Sequence, residues 1–119
     1  MAAGVTYVPL ATNTLGSASS SVVFSSISGS YTDLILIINN SSSSGGTNNA
    51  ITVNGDTGSN YSWTRLLGTG SAASSDRGSS YSNVYSGENS SGVFSTTIWH
   101  INNYSNTSTY KSAIVKNSN

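Results

Sequence analysis

The sequence predicts an all-β fold: a single β-sandwich, jelly-roll-like, of about eight antiparallel strands. Three observations predict it. Almost no apolar segment repeats with the 3.6-residue period of a helix. The apolar segments are short and rich in β-branched or aromatic residues, as in "VVF", "LILII" and "VFSTTIWHI". Clusters of Gly, Ser and Asn separate them at the spacing of strands and turns. A chain of 119 residues has room for one domain with one modest core.

Val5–Leu10 reads as a first strand or an entering arm. Pro9 within it suits an edge, where a missing N–H breaks no ladder. Ser21–Phe24 is the second expected strand. Thr32–Ile38 is the third, and it carries five consecutive large aliphatics, Leu34 to Ile38. Leu34, Leu36 and Ile38 fall on one face, Ile35 and Ile37 on the other. A strand wet on one face alternates, and this one does not. It is expected at the centre of its sheet, with one set in the core and the opposite set covered by a loop or another subunit. Each aliphatic left in water forgoes about 1.5–3 kcal/mol, so a small sandwich with a two-faced strand favours an oligomer.

Ala50–Asn54, Tyr61–Leu67 and Ser80–Tyr85 follow as short β segments. Val93–Ile101 is longer: Phe94, Ile98 and His100 share one parity, Val93, Trp99 and Ile101 the other. Tyr110–Val115 is the last expected strand. The neutral stretches Asn39–Asn49, Gly68–Ser79 and Gly87–Gly92 read as loops by composition.

Composition narrows function mainly by exclusion. Charged residues make up 7% of the chain, against the usual quarter or so. Ser, Asn, Thr and Gly fill the difference. Such a surface suits extracellular or virion-exposed β proteins, and its weak self-repulsion favours assembly. The four cations, Arg65, Arg77, Lys111 and Lys116, are spread along the chain, so no basic stripe for nucleic acid is expected. There are no cysteines, hence no disulfide, thiolate nucleophile or cysteine zinc site. The longest apolar runs are too short to span a bilayer, and no membrane partner is expected. "MAAGVTYVPLA" has neither a basic n-region nor an apolar h-region. An outdoor surface without a secretion signal suggests synthesis in a host cytoplasm and exposure by lysis.

No motif carries chemistry. "NGDTGSN", Asn54 to Asn60, sets oxygens at alternating positions as a calcium loop does, but has one carboxylate and no bidentate Glu at the required offset. It reads as a turn, with Asn54-Gly55 and Thr57-Gly58 accepting positive φ. His100 is the only histidine, and no acid lies near it in sequence. There is no nucleophile elbow and no phosphate-loop spacing. A glycosidase needs two closely placed carboxylates, whereas Asp33, Asp56, Asp76 and Glu88 are scattered. No enzyme, metal or cofactor is expected. What remains is surface. Seven tyrosines and two tryptophans are spread over the chain, and such rings serve as interface anchors or sugar platforms. The candidate interaction residues are Tyr7, Val8, Pro9 and Leu10 in the N-terminal arm, with Trp63, Tyr81, Tyr85 and Trp99.

The order of pieces also resembles a known family. "TYVPLATNTLGSASSSVVFSSISGSYTDLILIIN", "VNGDTGSNYSWTRLLGTGSAASS" and "IWHINNYSNTSTYKSAIVK" are similar to small β-rich structural proteins of tailed bacteriophages, including cyanophages. The matching motifs fall at Tyr7–Ser17, Ser21–Leu34, Val53–Ser62 and His100–Tyr104, and the resemblance covers nearly the whole chain. It implies virion structure without chemistry: a capsid decoration (cement) protein on the outer capsid surface, bound to the major capsid protein in symmetric copies, most simply homotrimers. Met1–Leu10 would be the capsid-contacting or swapped arm. A tail-fibre or receptor-binding module for a host glycan is the alternative. Relatives of this kind continue with further strands past the segment matching Tyr110–Val115. The resemblance therefore implies either a short member or a longer product, and a partner chain could complete the sandwich.

Overall fold

The computed structural model describes residues 7–44 and 47–118. Among them there is no helix, and seven strands carry the fold: β1 (Leu34–Asn40), β2 (Thr47–Ile51), β3 (Tyr61–Gly68), β4 (Ala73–Tyr81), β5 (Val84–Asn89), β6 (Ser95–Asn102) and β7 (Ser112–Ser118). They form three small antiparallel sheets, ordered β1-β6-β7, β2-β5 and β3-β4. The architecture is all-β and sandwich-like in class. A jelly roll lays eight strands in two sheets, and the ladders here are fewer and more divided.

The differences from the sequence reading have physical causes. Residues 7–10 and 21–24 are irregular, so their β-branched content finds no strand to pair with; Val5 and Thr6 lie outside the described residues. Gly68–Ser79, read as a loop, holds most of β4. That strand is exposed at nearly every position, which leaves it no apolar alternation to betray it. Ser80–Tyr85 is not one strand: it holds the end of β4, a bend and the start of β5. Asn39–Asn49 likewise contains the end of β1 and the start of β2, and β5 runs on to Asn89. Val93 and Phe94 precede β6 and are exposed.

β1 is the edge of its sheet, not the centre, and β6 lies between it and β7. Apolar residues on both parities report that both faces want cover. They do not report how many strands pair alongside. Leu34, Leu36 and Ile38 are half-buried on the inner face. Ile35 is 38% exposed and Ile37 64%.

The core is small. Trp99, 3% exposed, is the one buried apolar side chain among the described residues. The register sets it between Leu36 and Val115. Beside it the interior is polar. Thr97, fully buried, donates its hydroxyl to Asn117 Oδ1 at 2.8 Å. Ser95 donates to Asn89 Oδ1 at 2.7 Å, both residues being buried. Asn40 and Asn49 exchange reciprocal amide hydrogen bonds of 2.8 and 3.1 Å. The Ser95–Asn89 and Asn40–Asn49 bonds join the three-stranded sheet to the β2–β5 pair, and a buried polar group is tolerated where it finds such a partner. A bulge between Asn48 and Ala50 sets Gly87, at φ +116°, against the Asn117 side chain, where a Cβ would come within 2.7 Å.

The "NGDTGSN" segment is a turn, as its residues suggest. Asn54 and Gly55 both have positive φ, whereas Thr57 and Gly58, also expected to, do not. The Asp56 N–H donates to the Val53 carbonyl at 3.0 Å. The Asp56 carboxylate is engaged within the loop, accepting from the Gly58 N–H at 2.9 Å and the Asn60 amide at 3.0 and 3.1 Å. Tyr61 ties the loop down: its hydroxyl donates to the Asp56 carbonyl at 2.9 Å and accepts from the Val53 N–H at 3.0 Å.

Candidate functional site

Two surfaces carry the residues that composition alone leaves available for function. The first is an aromatic cluster on β3, β4 and β5. Trp63 pairs across the ladder with Gly78, and the register slips by one residue between Tyr61 and Trp63. Ser79 and Ser80 thus oppose Ser62, and Ser80 takes the left-handed conformation, φ +61°, that such bulges favour. The slip brings Tyr81 to Trp63, ring centroids 5.8 Å apart at 54°. Tyr85 stands edge-on to Tyr81 at 6.4 Å and 80°. These tilted geometries are the favourable ones for aromatic pairs. Gly78 makes room for both rings, since a Cβ there would lie 2.5 Å from Tyr81 and 2.8 Å from Trp63. An aromatic ring laid over a cross-strand glycine is a known sheet device.

Arg65 extends this cluster. Its guanidinium lies 5.6 Å from the Trp63 ring centroid, within cation–π range. It also makes a two-pronged pair with the cross-strand Asp76, at 3.0 and 2.7 Å. The hydrogen bond from Arg65 holds the Asp76 carboxyl below its ordinary value, because it favours the charged form. Tyr81 and Tyr85 are 39% and 41% exposed, so the cluster presents ring surface with one fixed cation beside it. It offers stacking and hydrogen bonding.

The second surface is the outer face of the β1-β6-β7 sheet. Register places Ile35, His100 and Ile114 in one row and Ile37, Ile98 and Lys116 in the next. Asn39, Thr96 and Ser118 form a polar row beyond them. All four isoleucines are exposed, Ile37 and Ile114 by more than 60%. Folding also brings an acid to the lone histidine. Asp33 Oδ2 lies 3.6 Å from His100 Nε2, both side chains being half-exposed, while Asp33 Oδ1 accepts the Asn103 N–H at 2.7 Å. The carboxylate thereby anchors the turn after β6 to the start of β1. Among the described residues, no group of three or more His, Cys, Asp or Glu side chains converges as a metal site would need.

Comparison with known protein families, with curated proteins and with solved structures finds no match.

Of the eight candidate interaction residues, the structure brings Trp63, Tyr81 and Tyr85 together. Tyr7, Val8, Pro9 and Leu10 lie exposed in an irregular segment; Met1–Thr6 of the expected arm lie outside the described residues. Trp99 does not join the cluster, because its ring is spent on the core. The apolar set Ile35 and Ile37 was expected to need cover; its extension by Ile98 and Ile114 across three strands, and the Arg65–Asp76 pair, were missed. The extension depends on the register of β6 and β7 beside β1. The pair depends on a register that no local pattern announces.

Proposed function

We propose that this chain is a bacteriophage capsid decoration (cement) protein, which binds the outer capsid surface and stabilises the shell by contact area. Its partners in this reading are the major capsid protein and further copies of itself, most simply as trimers. The observation that carries the reading is uncovered neutral surface. The chain exposes 8912 Å², where a compact monomer of its mass exposes about 6,100 Å². Its radius of gyration is 15.7 Å, against about 13.5 Å for a compact chain of this length. Tyr7, Val8, Leu10, Leu15, Val22 and Val23 are all exposed in the segment before β1. A chain with this much apolar area in water gains by being covered, and the sequence resemblance supplies the setting.

With four cations and four anions in the whole chain, Coulomb attraction contributes little, since exposed pairs give about 0–1 kcal/mol each. Attachment to virions therefore survives raised salt and weakens in urea, which solvates apolar and peptide groups. The test is to treat intact particles with increasing sodium chloride or urea and count the bound copies. Release by moderate salt alone refutes the neutral interface. Stripped particles should also lose DNA at lower temperature.

The cluster of Trp63, Tyr81 and Tyr85 favours a second reading, a tail-fibre or receptor-binding module that stacks a host glycan on these rings. Particles that keep their stability but lose host adsorption when the protein is removed would decide for it.

A further inference from the structure

We propose that the outer face of the β1-β6-β7 sheet, built on Ile35, Ile37, Ile98 and Ile114, packs against a second copy of this chain. Four exposed isoleucines occupy adjoining positions on three neighbouring strands. Asn39, Thr96 and Ser118 border them on one side. His100, paired with Asp33, stands between Ile35 and Ile114, and Lys116 at the edge of the next row. An apolar centre with a polar rim is how protein interfaces are built. The register across it is unbroken, and sheets pack face to face about 10 Å apart with their side chains interleaved.

Three observations select a copy of the same chain as the occupant. The surface in excess of a compact monomer is about 2,800 Å² per chain, so burying part of it in each of two copies reaches the area that obligate assemblies bury (about 2,000–5,000 Å² over both partners); the isoleucine face supplies one part of it. The face is nearly neutral, so it needs no oppositely charged partner. Lys116 sits at one corner, where its stem can lie along the isoleucines while the ammonium reaches water. Finally, the net charge of the chain is zero, and no long-range repulsion opposes association of like with like. Each copy would contribute one sheet to a sandwich closed across the interface. The inference does not depend on attachment to a virion.

The test uses purified protein without capsids. Sedimentation velocity across a dilution series should show a dimer or larger assembly at micromolar concentration. Ile37→Asp and Ile114→Asp should each weaken association at least tenfold while leaving the far-ultraviolet spectrum β-rich. Both positions are over 60% exposed in the single chain, so a charge there disturbs its interior little. Because the chain has no cysteine, Ile37→Cys is a unique reporter. Its thiol should react slowly with a maleimide at concentrations where the protein assembles and rapidly after dilution. Leu66→Cys, at a position 84% exposed, should react rapidly under both conditions. A monomeric wild type, or an Ile37→Cys that labels as fast as Leu66→Cys at every concentration, overturns the proposal. If an aspartate variant unfolds, the cysteine comparison still decides. Failure here leaves the virion release test untouched, and failure of that test leaves this face intact.

Discussion

The polar bond between Asn89 and Ser95 is the most exacting place to test how this small interior holds. Asn89 is 2% exposed and Ser95 1%, and the serine hydroxyl donates to Asn89 Oδ1 at 2.7 Å. Asn89→Leu keeps the approximate volume and removes the acceptor. The hydroxyl is then left with the Asn40 carbonyl at 3.4 Å, a weak substitute. An unsatisfied buried donor costs about 1–3 kcal/mol. Ser95→Ala strands the amide oxygen instead, at a similar cost. The double variant removes both ends, so it should be less destabilised than the sum of the singles by about 1–2 kcal/mol. Against a total stability of about 5–15 kcal/mol each single loss is easily read. The assay is urea unfolding followed by tryptophan fluorescence, at one fixed protein concentration because association shifts apparent stability. Additivity within about 0.5 kcal/mol, or a neutral Asn89→Leu, would refute the claim that satisfied polar pairs hold the two sheets together.

Gly78→Ala should force the Trp63 and Tyr81 rings apart, cost about 1–3 kcal/mol as overpacking does, and shift the tryptophan emission; unchanged emission and melting would show that the rings move freely. Tyr61→Phe removes a donor and an acceptor from the 53–60 loop, so a loss of about 1–2 kcal/mol is expected in urea melts. Asp76 titrates below its ordinary value in the folded chain. Its pairing with Arg65 therefore contributes above the ordinary carboxylate range and is lost as pH falls through the lowered value. A carboxyl titration by NMR should place Asp76 below the ordinary carboxylate value, and Arg65→Met should raise it toward that value.

Much of the fold was legible, for reasons that differ by element. β1, β3, β6 and β7 announce themselves through β-branched and aromatic residues because each contributes inward side chains. β4 could not, since "ASSDRGSSY" buries almost nothing. Its place is dictated by pairing with β3 and by the Arg65–Asp76 bridge. The N-terminal strands were expected because β propensity describes what fits a pleated surface, and in this chain that surface is absent. In the candidate site, tyrosine and tryptophan abundance pointed to rings without saying which would meet. Trp63 reaches Tyr81 through a one-residue slip at Ser80, and a slip redirects every side chain beyond it. Trp99 looked equally available, but its neighbours Leu36 and Val115 come from distant parts of the chain.

The edge position of β1 has a consequence for how the molecule reaches its native state. Leu34 pairs with Ile101 and Asn40 with Ser95, so the ladder that "LILII" joins among the described residues arrives about sixty residues later, and such distant pairings form slowly. Until then a five-residue aliphatic window without a charge is free to pair with the same window on another chain, which is the composition of an aggregation-prone segment. The residues flanking it bear on that interval. Asp33 stands immediately before the window, and "NNSSSS" follows it. A charge on one side and a polar, weakly β-forming tract on the other act as gatekeepers. The serine-rich stretch would then protect the nascent chain, whatever it does in the finished one.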